Sequence, residues 1–185
     1  MSTAANFFTR WRVRLGYVLA LAIFWLARPN SRTIAWGGLV GLLGLMLRSC
    51  AAGHLRKQES LTTTGPYAYT RNPLYLGSSI LAVGLAIAAR SWPVTILLAV
   101  YFPAFYGMVM RQEEKELRAQ FGAAFDEYAQ RVPLFLPRSR PARIGVTQSR
   151  GFSWEQYKRN REYQAAIGFL LILGLLVVIR WLRLR

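Results

Sequence analysis

The stretch AAIGFLLILGLLVVIRWL, residues 165–182, carries a single charge in eighteen residues and constrains everything else in the chain. A helix needs about 20 residues to cross the hydrocarbon core of a bilayer. In that core the backbone must close its own hydrogen bonds, which an isolated apolar segment does only as a helix. Four further apolar segments, 13–27, 33–52, 74–89 and 92–110, repeat the pattern, and the last segment spans 164–182. The chain is therefore predicted to be an all-α integral membrane bundle of about five transmembrane helices. Segments 13–27 and 74–89 are short, but their flanking Arg and Tyr side chains can reach the interface. Basic residues precede the first segment, as in a signal peptide. However, Ala20-Leu21-Ala22 is followed at once by Ile23, Phe24 and Trp25, a poor cleavage context, so the segment reads as a retained anchor.

Charge placement supplies an orientation. The chain carries 24 Lys+Arg against 8 Asp+Glu. In a soluble protein such a balance would point to nucleic acid, but here 54% of residues are hydrophobic and gathered in long runs. The partners expected are membrane lipids, with no nucleic acid. With the N-terminus cytoplasmic, 18 of the 24 basic residues fall in 1–14, 48–72 and 111–163, and all eight acidic residues fall there too. Basic residues favour cytoplasmic loops, so the N-terminus is expected inside, in the inner membrane if the source is bacterial. The Arg-rich C-terminal tail then lies outside, against the rule. A single cysteine, Cys50, excludes an internal disulfide, and a single histidine, His54, leaves no zinc-type ligand set. A Cys50–His54 pair on one helix face is conceivable, but a small apolar residue beside an interfacial histidine explains them more simply.

Three units follow: residues 1–60 with two spans, a core at 61–137, and 138–185 with a basic linker and the last span. Gly37 and Gly41 form a GxxxG pair suited to close helix approach, which also permits a dimer. Arg90 and Ser91 are almost the whole link between the third and fourth segments, so these must form an antiparallel hairpin whose cytoplasmic ends are neighbours. Pro103 lies inside the fourth segment and predicts a kink. Leu117, Phe121, Phe125, Tyr128 and Val132 then form a helical apolar stripe, predicting an amphipathic cytoplasmic helix that VPLFLP stops. Ser153 and Gln156 predict a capping box, with the helix it starts running on into the last span.

Candidate chemistry gathers at two places on that hairpin. In GPYAYTRNPLYLG, residues 65–77, Asn72 is placed to cap a helix that Pro73 begins. The positive end of the helix dipole, with Arg71 beside it, favours a carboxylate or phosphate. Tyr67, Tyr69 and Tyr75 either flank a flat ring or belong to the interfacial aromatic belt. Glu113 and Glu114 follow directly on an apolar span. Glu114 is spaced to pair with Arg111 and Arg118 along its own helix, or to serve, with Glu113, a ligand's hydroxyl or ammonium groups.

From about residue 61 to 137 the chain resembles the isoprenylcysteine carboxyl methyltransferase family and the related phospholipid N-methyltransferases. GPYAYTRNPLYLG matches the family pattern G-P-Y-x-Y-x-R-H-P-x-Y-x-G. EEKELRAQFGAAFDEYAQRVPLFLP matches E-E-x-x-L, then F-G, E-Y and V-P. The resemblance implies S-adenosyl-L-methionine as methyl donor, bound at the cytoplasmic face and enclosed by the amphipathic helix, and a lipophilic acceptor arriving from the bilayer. By position it implies that Tyr67, Arg71, Asn72, Pro73, Tyr75 and Gly77 line the donor pocket from one side. Glu113 and Glu114 line the other side, and Tyr128 and Pro133 help to close it, while Gly84 permits close approach of ligand or helix. Arg111 and Glu114 become the catalytic candidates: Arg111 to hold a carboxylate acceptor, Glu113 or Glu114 to take the proton of an amine. Asn72 stands where the family has His, and Asn cannot shuttle a proton. Two other readings stay open: a membrane reductase using NADPH, and a non-catalytic binding or scaffold protein on the same fold.

Overall fold

The computed structural model describes residues 21–56, 59–142 and 151–184. These residues fold into helices and turns, with no strand among them. Helix α1 spans Ser31–His54, α2 Pro73–Ala89, α3 Trp92–Phe121, α4 Ala123–Arg131, α5 Trp154–Arg159 and α6 Tyr163–Leu182; a 3₁₀ turn, Gly65–Ala68, precedes α2. Helices α1, α3 and α6 are long and apolar enough to cross a membrane, and α2, at 17 residues, is a shorter apolar helix. The helical membrane bundle is thus present, with three full-length spans and a shorter partner among the described residues rather than five. The first apolar segment lies mostly outside the described residues, although 21–26 are helical.

Local chemistry explains the boundaries. Asn30 caps α1: its Oδ1 accepts from the Thr33 amide at 2.8 Å while Thr33 Oγ1 accepts from the Asn30 amide at 3.1 Å. This reciprocal arrangement satisfies two donors that a helix start leaves open. Arg90, with φ of 48°, ends α2 and turns the chain straight into α3, giving the predicted hairpin. At 30 residues α3 is about 45 Å long at 1.5 Å per residue, well beyond a hydrocarbon core of ~30 Å. Its last turns therefore stand clear of the apolar layer, with Glu113 and Glu114 on them.

Glycines set how α1 meets α2. A Cβ on Gly37 would lie 2.3 Å from the Gly84 carbonyl oxygen, and one on Gly44 would lie 2.6 Å from that of Gly77. Backbone meets backbone, so only glycine fits at these crossings. Gly41 has the Phe169 ring of α6 over it. The GxxxG pair that offered a surface for a second copy is used inside the chain. Behind it lies an apolar core of Ile23, Ala88, Val94, Leu98, Leu176 and Ile179. Leu39, Leu43, Leu170 and Leu171 face outward, as expected where lipid is the solvent.

Two predicted helices are each divided. The amphipathic helix breaks at Gly122, with φ of 51°, so α4 turns back from the end of α3. The stripe nonetheless packs as foreseen: Phe125, Tyr128 and Val132 are buried against Leu61, Leu117 and Phe121. Only half of the capping box at Ser153 forms: its Oγ accepts from the Gln156 amide, while the Ser153 amide donates to the Gly53 carbonyl at 2.9 Å, and α5 does not run on into the last span. Arg161 adopts φ of 53°, because Asn160 and Glu162 on either side are bound elsewhere. Asn160 Nδ2 donates to the carbonyls of Ala52 and Leu55, closing the end of α1. Glu162 pairs with Arg48.

Candidate active site

The 3₁₀ turn and the two residues before α2 are held by the segment that follows α4. The Arg71 amide donates to the Pro133 carbonyl at 2.9 Å, Thr70 Oγ1 to Phe135 at 2.8 Å, and the Arg138 amide to Tyr69 at 3.0 Å. Asn72 occupies the predicted N-cap position, but its side chain does not cap. Its Nδ2 donates instead to the Leu134 carbonyl at 2.9 Å. Pro73 is fully buried at the first helical position. The motif is therefore a clamped corner, facing the far end of α3.

Both carboxylates of α3 reach that corner. Tyr75 Oη donates to Glu113 Oε1 at 2.7 Å, and Arg71 forms an ion pair with Glu114. The Glu114 partner is thus Arg71 from across the hairpin, in place of the Arg111 or Arg118 that helical spacing suggested. Arg118 instead binds Asp126 at 2.7 Å across the Gly122 corner and lies over the Phe125 ring. That hydrogen bond, followed by the Asp126 charge, raises the guanidinium pKa. Arg111 is exposed one turn before Glu114. The Arg71 Nε–H is buried and has no hydrogen-bond partner in the structure.

Tyr67 and Tyr128 form the layer behind. Tyr128 Oη donates to the Tyr67 carbonyl at 2.8 Å, and both residues are buried. Burial raises the Tyr67 pKa well above the ordinary value, with Tyr128, Glu113, Glu162 and Tyr75 adding to it. Burial also raises that of Tyr128, and Arg71 opposes the shift. Both hydroxyls stay protonated at neutral pH, as donors rather than bases.

The structure therefore brings together Arg71, Tyr75, Glu113 and Glu114, with Tyr67 and Tyr128 behind and Asn72 and Pro73 as anchors. Gly77 is on another face: a Cβ there would meet Arg48 Cγ at 2.6 Å and the Gly44 carbonyl at 2.8 Å, so it serves the α1–α2 crossing. Gly84 serves the same crossing. His54 Nδ1 lies 2.8 Å from the carbonyl of Cys50, so the contact is to its backbone.

Sequence reasoning missed one cluster. Arg48 was counted as a cytoplasmic loop charge, yet it lies within α1. It pairs with buried Glu162, its Nη1 reaches the Leu74 carbonyl at 3.2 Å, and it donates to Ser78. A second omission was Tyr106, whose ring lies 4.9 Å from that of Tyr75. Tyr106 also lines an apolar cavity of about 600 Å³ between α2 and α3, which Met110 and Phe135 border at the carboxylate end.

Similarity to known proteins agrees with this geometry. The phospholipid methyltransferase family matches residues 42–124, covering α2 and α3 in full and the second half of α1. The cobalt-zinc-cadmium resistance protein CzcN of Cupriavidus metallidurans is 36% identical over 72% of this chain and 67% of its own length. The nickel-cobalt-cadmium resistance protein NccN of Alcaligenes xylosoxydans xylosoxydans is 35% identical, over 69% of this chain and 63% of its own. The protein-S-isoprenylcysteine O-methyltransferase of Schizosaccharomyces pombe is 31% identical over 46% of this chain, but only 36% of its own length. No solved structure matches. The matched residues carry the clamped corner and the paired carboxylates, and the chain belongs to the isoprenylcysteine and phospholipid methyltransferase family of integral membrane proteins.

Proposed function

We propose that this protein transfers a methyl group from S-adenosyl-L-methionine to a lipophilic acceptor at the cytoplasmic face of its membrane. The observation that carries the reading is the meeting of Arg71 and Tyr75 with Glu114 and Glu113 at one end of an apolar cavity. Residues fit for a zwitterionic donor thus adjoin a space fit for a hydrocarbon.

The side chains suit the donor. The buried, unpartnered Arg71 Nε–H is a ready partner for a carboxylate. Glu113 and Glu114 offer acceptors for ammonium or ribose hydroxyl groups, and Tyr67 and Tyr75 offer ring faces. When bound, S-adenosylmethionine would supply an already electrophilic methyl carbon. The task left to the chain is alignment and exclusion of water. The 133–138 segment, sealed to the corner by backbone hydrogen bonds, provides that exclusion. A carboxylate acceptor needs no base, and Arg111 at the exposed edge would orient it. An amine acceptor would lose its proton to Glu113 or Glu114.

Asn72 in place of the family His fits this scheme. Its side chain holds the Leu134 carbonyl, a positioning task that a ring N–H would also perform. Calorimetry of S-adenosylmethionine and S-adenosylhomocysteine with detergent-purified protein tests the reading. Binding that Glu114→Ala abolishes is expected, and no binding to a folded, monodisperse sample would overturn it.

The metal-resistance relatives favour a second statement about context. The proposed methylation would modify a membrane component that contributes to tolerance of cobalt, zinc, nickel or cadmium. Deleting the gene and titrating each metal tests it. Unchanged tolerance to all four would remove it without touching the transfer reaction.

A further inference from the structure

Charge is matched at one end of the bundle and unmatched at the other. Five of the eight acidic residues pair with arginines at the end that carries the candidate site, and the other three, Glu113, Glu116 and Glu155, lie there too. At the opposite end α1 and α3 begin and α2 and α6 finish. There the chain has Arg28, Arg32, Arg90, Arg180 and Arg183, and no acidic residue. Hydrogen bonds gather these positions. The Arg28 amide donates to the Ala89 carbonyl at 2.8 Å, beside Arg90, and Thr33 Oγ1, beside Arg32, donates to that of Ala88 at 3.3 Å. Arg183 Nη2 donates to the Trp25 carbonyl at 3.0 Å. Arg90 also sits at φ of 48°, a left-handed position that glycine fills without strain. An exposed cation is held there next to two others, with no carboxylate to offset their repulsion.

We propose that this end binds an anionic phospholipid of the surrounding bilayer, its phosphate held by Arg28, Arg32 and Arg90. The partner must answer two features at once. Guanidinium groups suit phosphate, because their planar donors meet two oxygens together. Directly beyond the arginines, Trp36, Leu39 and Leu43 on α1 and Trp92, Ile96 and Val100 on α3 are all exposed at helical spacing. An acidic soluble protein or a free phosphate would match the charge and leave these apolar stripes unmatched. A phospholipid places its headgroup on the arginines and its acyl chains along the stripes. The proposal is independent of the transfer reading, whose residues lie at the other end of the bundle.

The test titrates the full chain, in neutral detergent, with phosphatidylglycerol or phosphatidylcholine brominated on the acyl chains, and reads quenching of tryptophan fluorescence. Trp25, Trp36 and Trp92 are 72%, 65% and 81% exposed at this end, so they report a lipid bound there. Phosphatidylglycerol should reach half-quenching at about fivefold lower concentration than phosphatidylcholine, and salt should shrink that preference. Arg28→Gln with Arg32→Gln and Arg90→Gln should abolish it. Arg32→Gln alone should at least halve it, which keeps the test decisive if the triple variant fails to fold. Lys115→Gln with Arg140→Gln and Lys158→Gln removes the same charge from exposed positions at the site end and should preserve it. Equal quenching by the two lipids, or a preference indifferent to the arginine substitutions, would overturn the proposal. Equal loss in both triple variants would show diffuse attraction to a basic chain and overturn it too. So would displacement of the lipid by equimolar inorganic phosphate, or a preference confined to a dimeric fraction, where a second copy supplies the carboxylates.

Discussion

Asn72 holds Leu134: its side-chain amide donates to that carbonyl at 2.9 Å, joining the first turn of α2 to the segment that follows α4. The residue sits where a cap is expected, yet it spends its hydrogen bond on a partner 62 positions away. Removing a partner from a shielded carbonyl costs ~1–3 kcal/mol. Asn72→Ala should therefore lower the thermal midpoint and weaken S-adenosylmethionine binding together. Asn72→His should keep most of both, since its ring can also donate. A histidine variant as damaged as the alanine variant, in denaturation and calorimetry, would refute the positioning role.

The Arg71–Glu114 pair is largely withdrawn from solvent, with side chains 15% and 20% exposed. Removing one member of a buried pair costs ~3–5 kcal/mol, and partial exposure puts this case at or below the low end. Glu114→Gln and Arg71→Met should each destabilise, and the double variant should lose less than the two losses added. A double-mutant cycle showing strict additivity would mean that the two side chains do not interact in the folded protein.

Tyr67 and Tyr128 give a pH signature. Their folded-state pKa values are raised by burial above the ordinary ~10 of tyrosine. Below that pH the hydroxyls are protonated whether the chain is folded or not, and stability is unaffected. Above it the unfolded chain releases protons that the folded chain retains, so stability falls as pH rises. Absorbance at the phenolate band should show two tyrosines ionising above that ordinary range. Tyr128→Phe should remove one of these, and an unchanged titration would refute the assignment.

Much of this was legible in the sequence because it depends on short-range pattern. The hairpin follows from a two-residue link, the stripe at 117–132 from helical periodicity, and the nearness of residues 65–77 to Glu113 and Glu114 from both. What was not legible depends on side chains meeting across the bundle. Spacing rules see neighbours three or four residues apart, so they assigned Glu114 to Arg111 and Arg118 and missed Arg71. They placed Arg48 in a loop because nothing local reveals Glu162, 114 positions later. Gly77 belongs to the ligand motif by pattern, yet its missing side chain serves Gly44 and Arg48 on α1.

The glycine crossing can be separated from glycines that merely occur in helices. Gly37→Ala would drive a Cβ to 2.3 Å from the Gly84 carbonyl, and the obstacle is backbone. Overpacking of this kind costs ~1–3 kcal/mol. Gly174→Ala on α6 meets nothing within 4 Å, and there the alanine should be neutral or stabilising by ~0.5–1 kcal/mol. Thermal unfolding in one detergent should rank Gly174→Ala at or above wild type and Gly37→Ala below it. The opposite order would mean that α1 and α2 do not cross as described.

Arg48 and Glu162 couple the last span to the candidate site. Glu162 is 6% exposed, and Arg48 grips it with two nitrogens, one at 3.0 Å, while Nη1 reaches the Leu74 carbonyl. Leu74 precedes Tyr75, so this guanidinium fixes the turn of α2 that carries the Glu113 partner. Glu162→Ala would leave a partly buried cation without its counter-ion, and ~3–5 kcal/mol should be lost. Arg48→Met with Glu162→Leu removes both charges and fills the space, so it should recover much of that stability. The hydrogen bond to Leu74 stays lost in the double variant. It should therefore fold well yet bind S-adenosylmethionine more weakly, because Tyr75 is less firmly placed. Wild-type affinity in a stable double variant would confine the pair to holding α6 in the bundle. Recovered stability with reduced affinity would establish that the last span positions the site.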